Sequence, residues 1–343
     1  MKNEREELGI GIIGGGFGVS RCPLIQKTDG LRLVAISSRS EERARKGAEQ
    51  FGVDWYTDYR KILERKDIDI VGIYTPSGAH RDIAIEAAMA GKHLIITKPT
   101  EITLDRMDDI IAACSKARVK LATEFLVRYE PVNFNVFRAI QDGEFGKLRL
   151  AEFSEKLHRG DLYFASDGGW RATRSQAGGG VLMNQGIHQL DQIIWMLGRV
   201  TAVTARAAAA RSDAETEDTM VATLSFESGA IGVLVATTTF LSDRPPSRYG
   251  GGTIRRLELN GAEASVTVVD NKLVMWKSTK REELPQSPRP AENVFDDFVQ
   301  WVRDDSYSSP TLVKSDDARY LLSVIDALYR AADSGEVVRV GTQ

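Results

Sequence analysis

Residues 8–20 read "LGIGIIGGGFGVS": a short β-branched run that ends in a cluster of glycines. The apolar run has the composition of a buried strand, and the glycines let the chain turn sharply at its end. Gly14 and Gly16 occupy the first two places of a G-x-G-x-x-G turn. There the lack of a side chain lets backbone N–H groups approach a pyrophosphate at the start of a helix. Phe17 follows, Gly18 stands one residue early, and the third glycine place is Val19. A glycine-rich turn also serves as a plain strand-to-helix connection, so its context decides the reading.

That context is a sustained alternation. LGIGII is followed by LRLVAIS, DIDIVGIY, KHLIIT and VKLAT, and between them SEERARKGAEQF, RDIAIEAAMAG and DRMDDIIAACSKA carry apolar residues at helical spacing. Strands alternating with helices predict βαβ units and a parallel sheet, and near-continuous apolar strands predict that both sheet faces are covered. We therefore expect a dinucleotide-binding Rossmann domain over residues 1–124. After it come a helix around NFNVFRAIQDG and strands such as VTAVTARAAAA, DTMVATLSFESG, AIGVLVATTTF, RRLELNG and EASVTVVDNKLVMWK. Tight turns are expected at Ser228-Gly229 and Asn260-Gly261, a long mobile loop at 242–252, and closing helices at AENVFDDFVQWV and SDDARYLLSVIDALYRAAD. The fold class expected is α/β, with an α+β domain over 125–343 built on a large, mostly antiparallel open sheet. Substrate binding and oligomerisation are assigned to that domain.

Composition narrows the function. The 45 Lys and Arg against 48 Asp and Glu give a net charge of −3, which offers no basic footprint for nucleic acid. No stretch reaches the ~20 apolar residues of a membrane span. The charged start MKNEREEL resembles no targeting peptide, and two cysteines without C-x-x-C spacing suit a reducing cytoplasm and no zinc cluster. Cys22 and Cys114 are expected to be inert core residues. The second strand normally ends in an acid that binds the adenosine ribose and repels a 2′-phosphate. Here Ser37, Ser38, Arg39 and Ser40 stand there, and no acid precedes Glu41. Hydroxyls beside a guanidinium favour NADP, with NAD as the alternative.

With "YTPSGAH" (74–80) and "GKHLIITKPTEIT" (91–103) added to the opening motif, the sequence resembles the Gfo/Idh/MocA oxidoreductases. The resemblance implies NAD(P)-dependent oxidation or reduction of sugars and cyclitols, and a homodimer or homotetramer formed through the C-terminal sheet. It places Thr75, Pro76 and His80 in the loop beside the nicotinamide. It places Lys98 and Pro99 in a Glu-Lys-Pro motif whose lysine reaches the reacting hydroxyl and whose Lys-Pro bond is commonly cis. Thr97 stands where that motif has Glu, and Asn184 where the third motif commonly has Asp, with His188 as its histidine. Trp170 and Arg171 in "GGWRATRSQAGGG" resemble a segment lining the cleft, and Tyr163 is expected to face the same cleft.

On a continuous α-helix Asn184, His188 and Asp191 share one stripe, while Ile187, Leu190, Ile194 and Leu197 form the apolar side. Glycines 178–180 just upstream are expected to let chain and ligand approach closely. Removing a hydride from a carbinol requires its hydroxyl proton to leave, and an imidazole of ordinary pKa near ~6.5 is suited to take it. His188 is thus expected as acid/base. Lys98 is expected to orient the hydroxyl, as a proton relay or as a cation stabilising developing alkoxide. Asn184 holds substrate, since an amide takes no proton. His188 and Asp191 at i, i+3 also permit a metal ligand pair, but no further ligand shows the spacing, and no metal is expected. Arg159, Arg171 and Arg174 serve either an anionic substituent or surface ion pairs. Two other functions stay open: a dinucleotide-binding regulatory protein without chemistry, and a redox-neutral enzyme, such as one cleaving glycosides, with tightly held cofactor.

Overall fold

The computed structural model describes residues 7–341 except 212, 243–251, 278–279 and 285. Most of the expected 242–252 loop therefore lies outside the described residues. The chain forms two compact units, residues 1–129 with 290–319, and residues 130–289 with 320–343.

The first unit holds strands β1 (Leu8–Ile13), β2 (Leu31–Ser37), β3 (Asp54–Tyr56), β4 (Ile70–Ile73), β5 (His93–Thr97) and β6 (Leu121–Glu124). They lie in the order β3-β2-β1-β4-β5-β6 and pair in parallel. Ile10 pairs with Leu33 on one side and Ile70 on the other, so the strand that leads into the glycines lies between two neighbours. Sequential strands run outward from β1 in one direction and from β4 in the other. This reversal opens a crevice at the carboxyl ends of β1 and β4, the usual ligand position in such sheets. Ile10, Ile12, Ile36, Ile70 and Ile95 are buried in the core, as near-continuous apolar strands require.

A single cut between 124 and 125 does not describe this unit, because the chain returns to it at 290–319. Phe295 and Phe298, on the helix Val294–Arg303, join the same core cluster as the β1 and β2 isoleucines. Asn293 caps that helix, its Oδ1 accepting from the N–H groups of Phe295 and Asp296. Asp297 is fully buried on it and accepts hydroxyl bonds from Tyr129 (2.7 Å), Tyr307 (2.6 Å), Ser309 (3.0 Å) and Thr311 (2.6 Å). A buried carboxylate is tolerated where its lone pairs are filled in this way.

The second unit holds β7 (Leu148–Lys156), β8 (Val200–Ala208), β9 (Thr219–Phe226), β10 (Ile231–Thr237), β11 (Ile254–Gly261), β12 (Ala264–Val269), β13 (Lys272–Lys277) and β14 (Lys280–Glu282). With β16 (Val338–Arg339) they form one sheet in the order β14-β13-β12-β11-β7-β10-β9-β8-β16. Only β7 and β10 pair in parallel among the described ladders of this sheet; the others are antiparallel. Met220, Ala222, Leu224 and Phe226 are buried at every second place of β9, as a sheet covered on one face requires. The other face exposes Leu150, Val221, Ile231 and Trp276. Helices Pro131–Gln141 and Ile187–Leu197 belong to this unit, and the Phe137 and Trp195 rings stack at 4.2 Å. The remaining strand, β15 (Val313–Lys314), pairs antiparallel with β6 in the first unit.

The turn expected at Asn260-Gly261 is a correction. Both residues belong to β11, and the reversal follows at Ala262-Glu263. Gly261 serves a close approach instead, because a Cβ there would come within 2.9 Å of the Phe145 carbonyl carbon.

Candidate functional site

In the first unit the glycine turn divides its work residue by residue. Gly14 adopts φ +131°, which disfavours other residues, and a Cβ there would come within 2.7 Å of the Tyr74 carbonyl carbon. Gly15 lies against Ser38 and Arg43, so the turn touches the end of β2 directly. Gly16 is exposed, and a Cβ there would meet nothing within 4 Å. This is open space beside backbone, as a pyrophosphate requires. Gly18, expected among the cofactor contacts, is buried; a Cβ there would come within 2.7 Å of Ile12, so its smallness serves packing. Val19, in the third glycine place, packs against Gly47 of the helix Glu41–Phe51. Phe17 is 52% exposed, and the Arg21 guanidinium lies 4.0 Å from its ring centroid.

At the end of β2, Ser38 Oγ accepts from the Ser40 N–H (3.3 Å), and Ser40 Oγ accepts from Arg43 N (3.4 Å) to cap the next helix. Arg39 is exposed, with no ion pair among the described residues. Arg43, beside Gly15, joins Ser38 and Arg39 as a candidate that the linear pattern did not single out.

The loop after β4 holds Thr75 and Pro76, both half-buried. Thr75 Oγ1 is buried without a hydrogen-bond partner among the described residues. An orphaned hydroxyl at the switch-point edge suits a polar cofactor group. The expectation that His80 touches cofactor is a correction: its side chain is fully buried. Its Nε2 faces the Thr75 carbonyl at 2.9 Å, and Nδ1 faces the carbonyls of Pro99 (3.0 Å) and Thr100 (3.2 Å). His80 thus bolts the loop after β4 to the loop after β5. Burial pushes its pKa down, opposed by these three carbonyls and by Glu101.

The Lys98-Pro99 bond is cis. Lys98 is half-buried and Pro99 is buried. Just beyond, buried Glu101 accepts from the backbone N–H of Arg81 and of Ile102 (2.8 Å each) and from Arg106 Nε (2.8 Å), which anchors the loop that carries the lysine. The β5–β6 register sets Thr97 opposite Glu124. A carboxylate missing from position 97 is therefore present on the neighbouring strand. Glu124 is 2% exposed and ion-paired to Arg21 at 2.8 Å. Burial raises its pKa, while Arg21 and Lys98 pull it back. Glu124 escaped the sequence reading because strand pairing, not spacing, brings it to the motif.

In the second unit the glycine triplet has a different use from the one expected. Gly178, at φ +77°, ends the short helix Arg174–Ala177. A Cβ on Gly179 would come within 2.6 Å of the Tyr329 ring, and one on Gly180 within 2.7 Å of the Glu217 carbonyl carbon. The close approach is to the protein itself. Glu217 accepts from Gly180 N (2.9 Å), Leu182 N (3.0 Å) and Tyr329 OH (2.9 Å), and so fills the unbonded N–H groups at the helix start. Burial raises its pKa against those three donors.

The following segment is π-helical over Leu182–Gly186 and α-helical over Ile187–Leu197. A π turn is wider than an α turn, so Asn184 shifts phase relative to the α-helical positions that follow. Asn184 and His188 stay half-exposed, but Asp191 is 2% exposed, and Ile194 is only half-buried. Asp191, three residues after His188 on the same α-helix, is buried and so does not share the half-exposed stripe. Gln185 Nε2 donates to Tyr163 OH at 2.7 Å, and Gln189 Nε2 to Glu155 at 3.1 Å. Tyr163 is 7% exposed with its hydroxyl engaged, so it forms a platform more than a ligand contact. The half-buried Trp170 and Arg171 stack on each other at 4.6 Å. Both cysteines are free and buried, and burial pushes Cys22 up to about 12 and Cys114 to about 11. Among the described residues no group of three or more His, Cys, Asp or Glu side chains could hold a metal ion, and no helix is long and apolar enough to cross a membrane.

Comparison with known proteins gives the same two-part picture. Residues 8–125 match the oxidoreductase-family model of the NAD-binding Rossmann fold, and residues 135–267 match the GFO/IDH/MocA C-terminal domain. The chain is 29% identical over 236 residues to the uncharacterised oxidoreductase YrbE of Bacillus subtilis, covering 67% of each chain. It is 28% identical over 235 residues to the myo-inositol 2-dehydrogenase of Thermotoga maritima, covering 66% of this chain and 67% of that one. Among solved structures, the aldose-aldose oxidoreductase from Caulobacter crescentus complexed with glycerol superposes with a TM-score of 0.84 at 28% identity, over 97% of this chain and 99% of the other.

Proposed function

Because the chain belongs to the Gfo/Idh/MocA oxidoreductase family, with an NAD-binding Rossmann domain, we propose that it interconverts a hydroxyl and a ketone on a sugar, sugar derivative or cyclitol. The observation that carries this reading is the switch point of the first sheet, where open backbone at Gly16 and the orphaned Thr75 hydroxyl share the carboxyl edge of β1 and β4. A nicotinamide bound there supplies the hydride acceptor or donor. Gly14 and Gly16 would admit the pyrophosphate, Phe17 would cover it, and Thr75, Pro76 and Pro99 would line the far end. Ser38, Arg39 and Arg43, with no acid beside them, favour the 2′-phosphate of NADP over NAD.

Lys98 orients the reacting hydroxyl and stabilises negative charge on its oxygen. His188 takes the hydroxyl proton in oxidation and returns it in reduction. Asn184 holds a neighbouring hydroxyl through its amide. Assembly as a homodimer or homotetramer through the open sheet is supported by Leu150, Val221, Ile231 and Trp276 on its uncovered face. Buried free cysteines suit a cytoplasmic setting.

The test combines cofactor fluorescence with turnover on sugars, sugar acids and inositols. Lys98→Ala keeps NADPH affinity and loses most turnover; unchanged turnover sinks the assignment. His188→Ala abolishes the acid limb near neutral pH in kcat/KM, and a persisting limb places the titrating group elsewhere.

A further inference from the structure

After β7 the chain leaves the sheet at Arg159, whose N–H donates to the Thr238 carbonyl at 2.9 Å. Its guanidinium lies 5.4 Å from the centroid of the Tyr163 ring. The Arg171 guanidinium lies 4.9 Å from the same centroid. Phe164 meets Tyr163 edge-on at 5.1 Å, and Gln185 holds its hydroxyl, so the ring is a fixed platform that both cations contact. Like charges packed on one ring repel, and partial burial removes much of the water that would screen them. Burial depresses the Arg159 pKa, and the positive charges of Arg171 and Arg255 depress it further, against Tyr163 and Glu155.

The two guanidiniums differ in their carboxylate partners: Arg171 has one, and Arg159 has no ion pair among the described residues. Asp167 lies 3.6 Å from Arg171, which also donates to Ser166 Oγ at 3.3 Å. Glu155 already accepts from Gln189 (3.1 Å) and pairs with Arg255 (3.4 Å). Arg159 donates to the carbonyl of its neighbour His158 at 3.2 Å, and its Nε is buried without a hydrogen-bond partner among the described residues. Arg211 differs: over Phe164 at 4.5 Å, it pairs with Asp161 (2.9 Å) and Asp213 (2.6 Å). Arg174, the third arginine of the segment, is exposed over Tyr329. Gln185 ties the platform to the π turn that carries Asn184, in the same unit as His188.

We propose that Arg159 and Arg171 bind an oxyanion substituent of the substrate, a carboxylate or a phosphate, so that the enzyme acts on acidic sugars in preference to neutral ones. The inference rests on the hydride-transfer reading above and names its substrate class. A guanidinium fork fits either oxyanion in a bidentate manner, and an incoming anion relieves the repulsion between the pair.

The test uses the full chain loaded with NADPH or NADP⁺, at constant ionic strength, against matched neutral hexoses, their uronates and their 6-phosphates. Calorimetric affinity and kcat/KM are both read. The charged members exceed their neutral parents by about ten- to a hundred-fold, the range for hydrogen bonds to a charged group, and Arg159→Gln reduces this preference to near parity. Arg159→Lys keeps the charge without the fork and falls between. Circular dichroism confirms that both variants fold. Preference for uronates assigns a carboxylate, and preference for 6-phosphates assigns a phosphate. Equal response to neutral and charged members, no binding of any charged member, or a preference that survives in folded Arg159→Gln and Arg171→Gln overturns the inference. Turnover of neutral sugars without charge preference leaves the hydride-transfer reading standing; failure to bind either NADPH or NADH overturns that reading instead.

Discussion

Gly180→Ala probes the link between the glycine triplet and the helix that carries His188, the proposed acid/base. The added Cβ would meet the Glu217 carbonyl oxygen and lie 2.7 Å from its carbon and 2.8 Å from its nitrogen. All three are backbone atoms, so no side chain can swing aside. Restoring an ordinary contact of 3.4 Å to the carbon alone requires a backbone displacement of about 0.7 Å, and the carbonyl oxygen, which lies closer, requires well over 1 Å. That displacement separates the Glu217 carboxylate from the N–H groups of Gly180 and Leu182, at the start of the segment that carries Asn184 and His188. Overpacking of this kind costs about 1–3 kcal/mol, which for units of this size lowers Tm by about 2–12 °C. The larger effect falls on rate, because a shift of about 1 Å or more in the proposed acid/base costs up to about a hundred-fold. Cofactor affinity stays near that of the parent chain, since the glycine turn after β1 is untouched. The assay is a thermal melt, an NADPH fluorescence titration and kcat on the best substrate of the panel. A variant with parental Tm and parental kcat refutes the reasoning. A variant that loses cofactor binding and turnover equally assigns the triplet a different role.

Gly16→Ala is the opposite case: with open space around the added Cβ, Tm stays unchanged while NADPH affinity falls, and a large drop in Tm contradicts the geometry. NADPH binds more tightly than NADH, and Arg39→Ala narrows the gap; tighter NADH in the parent chain rejects the 2′-phosphate assignment. Glu124→Gln leaves the buried Arg21 guanidinium without its carboxylate and costs about 3–5 kcal/mol. Replacing both partners by apolar residues restores most of that stability in a denaturant melt, and additive losses in the double variant argue against the pair. Asp297→Ala removes the acceptor shared by the hydroxyls of Tyr129, Tyr307, Ser309 and Thr311, of which Ser309 and Thr311 keep their mutual bond at 2.7 Å; each hydroxyl left unsatisfied costs about 1–3 kcal/mol, which shows as a lower midpoint of unfolding.

What the sequence determined by itself is what local periodicity encodes. A strand ending in Gly14-Gly15-Gly16, followed by alternating strands and helices, specifies a Rossmann sheet because each βα unit carries its own pattern and its crossover has one favoured hand. The period-two strands of the second half likewise specify an antiparallel sheet with one covered face. Lys98, Asn184 and His188 stand out as candidates in the sequence because they lie in contiguous motifs.

Tertiary structure alone decided what depends on residues far apart in the chain. Glycines 178–180 read equally well as a ligand approach or a protein approach until Glu217 and Tyr329 met them. His80 read as a cofactor contact until three carbonyls enclosed it, and Glu124 was invisible until β6 paired with β5. The helix Val294–Arg303 had a plain amphipathic pattern, but its return to the first core rests on burial of Phe295 and Phe298 against strands nearly 300 residues earlier. Such pairings leave no period in the sequence, because what selects them is the burial of surface and the filling of hydrogen bonds once the local elements already exist.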